Sequence, residues 1–105
     1  MDMLVIGDGT AAVGFALHID SLQALEGLIP EAIKQGFPFL LVATDDRGQS
    51  VAAMVSAGVP LKFVYTTTER PKIDEERVRD FWKRIQEGRL ELGIPAIDID
   101  NMPQI

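Results

Sequence analysis

Cysteine is absent from this chain and histidine occurs once. Disulfides, thiolate zinc sites, cysteine nucleophiles and His-rich metal sites are therefore excluded, and the missing disulfides fit a reducing compartment. No apolar run approaches the roughly 18 residues that a membrane helix needs. The N-terminus shows neither the basic segment nor the apolar stretch of a secretory signal. Cations are in the minority: ten Lys and Arg stand against sixteen Asp and Glu, for a formal charge of -6. A surface of that sign repels phosphate backbones unless its cations gather on one face. Seven of the ten cations do fall between Glu69 and Glu91, but seven acids fall there too. Nucleic acid is not expected as a partner, nor is membrane insertion; the expectation is a soluble, acidic, cytoplasmic protein.

What is present is an ordinary globular mixture. The 105 residues are 47% hydrophobic and 25% charged, enough for one domain with a real core. The chain is read as a single α/β domain over 1–105, with 93–105 as an edge strand or a docking tail.

The stretch "MLVI" (3–6) is apolar without alternation, as in a strand buried on both faces, and "GDGT" ends it. Thr10 is placed to cap a helix through "AAVGFALH" (11–18), with His18 near its end. Asp20 or Ser21 would cap a second helix through "LQALEGLIPEAIKQ", which Pro30 should kink or restart and Gly36 should stop. "PFLLVAT" is a second buried strand. A short helix is expected from about Ser50 to Ala57, then a peripheral strand "LKFVYTT", because Lys62 suits an edge.

Asp74 caps the best helix, "EERVRDFWKRIQE", with acids in its first turn, Lys83 and Arg84 near its end, and an apolar stripe of Val78, Phe81, Trp82 and Ile85. "AIDID" (96–100) reads as a late strand. Strands alternating with helices imply parallel pairing through crossovers. The expected fold is a small Rossmann-like α/β layered domain with a mainly parallel three- or four-stranded sheet flanked by helices, in an order such as 3-2-1-4.

In such a sheet, ligands bind beyond the carboxyl ends of the strands. That rule gathers a candidate ligand-binding rim from "GDGT", "TDDRG" and "TTTERPK": Gly7, Asp8, Gly9, Thr10, Thr44, Arg47, Thr66, Thr67, Thr68 and Arg70. Asp8, Asp45 and Asp46 form a candidate metal set within it, since Mg²⁺ favours one or two carboxylates plus water and phosphate oxygens. "GDGTAA" also fits Gly-x-Gly-x-x-Ala between a strand and a helix, although Asp8 would face the pyrophosphate and no acid ends a strand about twenty residues further on. The plainer reading is a tight turn that uses Gly7 and Gly9 for positive φ, with Asp45 and Asp46 as the polar exit from a strand.

"ATDDRGQSVA" resembles the aspartate motif of Toprim domains, Asp-x-Asp followed by Arg and Gly. Here, however, the aspartates are adjacent and the glutamate expected in "VIGDG" is absent. "VIGDGTAAVGFAL" resembles the opening of the F subunit of A/V-type ATPases, without the strand that should follow. "EAIKQGFPFLLVATDD" with "GVPLKFVYTT" resembles the core of kink-turn-binding ribosomal proteins, without their basic loop. Likenesses to three α/β families over the same residues are what a generic Rossmann-like alternation produces, and membership of none is inferred.

The leading functional expectation is a non-catalytic module that binds a partner protein, a second copy or a small ligand, as a regulatory or assembly subunit would. It rests on an inventory with no cysteine, one histidine and no serine in a nucleophile motif. No resident cofactor is expected. The alternatives are a Mg²⁺-dependent phosphoryl-transfer or phosphodiester enzyme using Asp45 and Asp46, and a nucleotide-sensing module using the first loop.

Overall fold

The structure, a computed structural model, describes residues 2–44 and 47–92. The expected parallel sheet is not there. Two three-stranded sheets take its place, one in the order β2-β1-β5 and the other β4-β3-β6, with two helices. Every pair in the first sheet is antiparallel, and β3 with β6 is the one parallel pair among the described residues.

β1 (Asp2–Ile6) and β3 (Phe39–Thr44) are the two apolar strands expected to lie centrally. Each is the centre of its own sheet, and they do not pair with each other. Both alternate in burial: Leu4 and Ile6, like Phe39, Leu41 and Ala43, point into the core, while the residues between them are half-buried.

Two segments expected to be helical are strands. β2 (Val13–Leu17) returns from β1 as a hairpin, pairing Val13 with Ile6 and Leu17 with Asp2. β4 (Ser50–Val55) pairs with β3 from Phe39↔Val55 to Thr44↔Ser50 without a break. In β4 the alanines favour helix, but Val51, Ala53 and Val55 alternate with exposed Ser50, Ala52 and Met54. That period of two, once β3 is alongside, buries Val55 and half-buries Val51 and Ala53, which is enough to override propensity. These hairpins remove the crossovers that parallel pairing requires.

β5 (Leu61–Val64) is an edge strand with Lys62 exposed, as the sequence suggests. β6 (Arg89–Glu91) had no sequence signal; it follows the last helix through Gly88, whose φ of 92° a side chain would strain. The late strand expected at 96–100, like the docking tail at 93–105, lies outside the described residues.

α1 (Ile19–Gln35) is continuous through Pro30 and stops at Gly36 in the left-handed region, φ 80°. Its cap is His18, whose Nδ1 accepts from the Asp20 amide at 3.2 Å. His18 thus opens this helix and does not end an earlier one. Leu22, Leu25, Ile29 and Ala32 follow helical spacing into the core. α2 (Glu75–Gln86) has the expected cap, with Asp74 Oδ1 accepting from the amides of Glu76 and Arg77 at 3.1 and 3.3 Å. Phe81 and Ile85 are buried, and Trp82 meets Phe37 edge-on with centroids 5.9 Å apart. Both sheets and both helices contribute to one buried cluster, from Leu4 and Phe15 to Leu41, Ile85 and Leu90. No helix among the described residues is long and apolar enough to cross a membrane.

Candidate functional site

Antiparallel pairing disperses the predicted rim. β5 runs against β1, so that Leu61 sits beside Ile6 and Val64 beside Met3. Gly7, Asp8, Gly9 and Thr10 therefore lie at one end of the first sheet, and Thr66, Thr67, Thr68 and Arg70 leave from the other. Thr44, which is buried, ends β3 in the second sheet, and Arg47, which is exposed, lies in the connection from β3 to β4.

"GDGT" is a strand-to-strand connection: Gly7 and Gly9 have φ of 91° and 59°, as a tight turn requires, and Gly7 donates its amide to Pro60 at 2.8 Å. A short 3-10 turn (Gly9–Ala11) leads into β2, so the α-helix that a dinucleotide loop needs is not there. Asp45 and Asp46 lie outside the described residues. Among the described residues no cluster of three or more His, Asp or Glu could hold a metal.

One half of the rim does belong to an organised surface. After β5, residues 65–73 form no helix or strand, yet side chains bind them down at several points. Asp2, buried at the start of β1, accepts through Oδ1 from the Thr66 amide at 2.8 Å and from Thr66 Oγ1 at 3.1 Å. Thr67 accepts from the Glu69 amide, which makes "TTT" a turn. The Tyr65 hydroxyl donates to Glu26 on α1, and Arg70 pairs with the same carboxylate oxygen at 3.2 Å. The Arg70 guanidinium lies 3.5 Å from the Tyr65 ring centroid, a cation–π contact. Further along, Gln23 Nε2 donates to the Pro71 carbonyl at 2.8 Å.

Gln23, Glu26 and Gly27, one helical face of α1, thus form one wall of a groove, and Arg70, Pro71 and Ile73 form the other. Its volume is about 470 Å³ and it is open to solvent. Gln23 Oε1 and Arg77 Nε are buried nearby on α1 and α2, each without a hydrogen-bond partner among the described residues. Ile73 is 52% exposed.

The sequence reading missed Asp2, Gln23, Glu26 and Tyr65. The sole signal for them was the crowding of Thr, Arg and Pro after β5, because their partners are 39 to 64 residues away in the chain.

Burial first, then the hydrogen bond to Glu26 and the repulsion of its carboxylate, push the Tyr65 phenol from 10.0 up to about 12, against the opposing charge of Arg70. An acid whose folded pKa is raised contributes stability that is present below pH 10.0 and is lost as pH rises through about 12. Tyr65 is the only tyrosine, so its phenolate absorbance reports on this site alone. The midpoint is expected near 12 in the wild type and lower in Glu26→Gln, which removes the carboxylate but not the burial. A wild-type midpoint at 10.0 would show that Tyr65 is not held against α1.

Asp2→Ala removes the charged acceptor of both Thr66 hydrogen bonds, at a cost of about 1 to 3 kcal/mol. Urea unfolding measures the loss; an unchanged midpoint would mean that the 65–73 segment is not tied to β1.

The chain matches no protein-family model, and no curated protein or solved structure is significantly similar to it.

Proposed function

We propose that the protein is a non-catalytic binding module that holds an extended segment of a partner protein in the groove between α1 and residues 65–73. The observation that carries this reading is the bracing of an irregular segment by Asp2, Gln23 and Glu26. A segment without regular structure costs entropy to order, and ordering it before the partner arrives lowers the cost of binding. Loops fixed on a rigid scaffold commonly carry binding residues. Pro71 and Ile73 offer the apolar part of the groove, and the Glu26–Arg70 pair offers a polar anchor beside it. Tyrosine and arginine are the residue types on which interface energy tends to concentrate.

The open form of the groove suits a polypeptide better than a small molecule, which is usually enclosed. A photo-reactive residue at Ile73, with Lys62 as the control position, tests the reading in cells. The adduct expected from Ile73 identifies the partner, whose affinity is then measured with purified protein. Arg70→Ala and Ile73→Asp should each weaken it by about tenfold or more. A partner bound equally well by both variants would place the interface elsewhere.

A further inference from the structure

Among the described residues, β4 is an open sheet edge without the usual protections. Sheet edges are normally blunted by charge, proline, a bulge or brevity, because their free amides and carbonyls recruit other strands. β5 carries exposed Lys62, β6 is three residues long with its Arg89–Glu91 ion pair, and β2 lies against β3. β4 has six residues, pairs with β3 without a bulge, and contains neither charge nor proline. No charged residue occurs from Gly48 through Leu61. Its outward residues, Ser50, Ala52 and Met54, are exposed, Met54 at 54%, and Ala52 and Met54 continue the half-buried Val42 and Leu40 of β3 as an apolar strip.

We propose that this edge pairs with the β4 edge of a second copy of the chain, antiparallel about a two-fold axis, joining the β4-β3-β6 sheets of the two copies into one of six strands. The charge pattern is compatible with this occupant. Two chains of formal charge -6 repel each other overall, and β4 lies in a long stretch, Gly48 through Leu61, where two copies meet without opposing like charges.

The side chains are also self-complementary. In an antiparallel pair, opposite residues share a face, so a two-fold axis at Ala53 sets Val51 against Val55 on the core side and Ala52 against Met54 on the outer side. Branched residues meet across the join on one face, small meets large on the other, and no like charges oppose.

Sedimentation velocity over a concentration series tests the proposal on the full chain, with Ala52→Lys and Ala52→Glu as variants. Their thermal midpoints verify folding, since Ala52 is exposed. The wild type is expected to dimerise, each variant alone to weaken the dimer about tenfold or more, because position 52 and its two-fold mate are diagonal neighbours roughly 7 to 8 Å apart that would carry like charge, and an equimolar mixture of the two to regain it. Amide exchange in β4 should slow with rising protein concentration. A wild type that stays monomeric overturns the proposal, whether β4 amides then exchange freely or are covered by residues 93–105 of the same chain. Variants that dimerise as the wild type does, or a mixture that remains monomeric, overturn it equally.

Discussion

Phe15→Ala is expected to remove about 3 to 5 kcal/mol of stability, because it deletes a fully buried aromatic ring and leaves a cavity. Small domains are stable by about 5 to 15 kcal/mol in all, so this one substitution removes about a fifth of that stability or more. Phe15 belongs to β2, in the first sheet, and β2 lies against β3, at the centre of the second. Its ring sits in the cluster where both sheets and both helices meet. Urea unfolding is the measurement. A loss below about 1 kcal/mol would mean that the sheets do not share one core, since only a site able to collapse or already wet is so tolerant.

Pro30→Ala should have a large effect of the opposite sign. Proline inside a helix lacks the amide that the carbonyl four residues earlier needs, and it is disfavoured against alanine by about 3 kcal/mol. Here that carbonyl belongs to Glu26, the residue that receives Tyr65 and Arg70. Pro30 is exposed, so little packing is lost on replacement. A gain of about 1 to 3 kcal/mol is expected, seen as a raised thermal midpoint, with a new slowly exchanging amide at position 30. No gain would show that the helix bends at Glu26 to fit its neighbours. A gain accompanied by weaker partner binding would show that the proline shapes the groove, stability being given up where function needs a particular geometry.

The dispersal of the predicted rim follows from one error of direction. Had β5 run parallel to β1, "GDGT" and "TTTERPK" would share an end of the sheet; because β5 is antiparallel, Thr66 reaches Asp2 at the start of β1. Arg70 and Thr66 to Thr68 do border an organised surface, but their partners come from α1 and β1, not from the other strand ends. Nothing in a list of residues marks Glu26 as the carboxylate that Tyr65 and Arg70 share; it is an ordinary exposed acid on a helix until residues 65–73 are laid across it.

What the sequence by itself determined is local. α2 was legible because Asp74, the acids after it and the cations near its end all act within one or two turns. The stop of α1 was legible because Gly36 can take φ 80° at low cost. β1 and β3 were legible as central strands, because an apolar run this short can be satisfied in few other ways. Tertiary structure alone decided that "VGFAL" and "SVAAMV" are strands, that "RLE" joins β3, and that the sheets are mostly antiparallel. A helix closes its hydrogen bonds within itself, whereas a strand leaves them to a partner, so its identity and direction depend on which chain segment lies alongside.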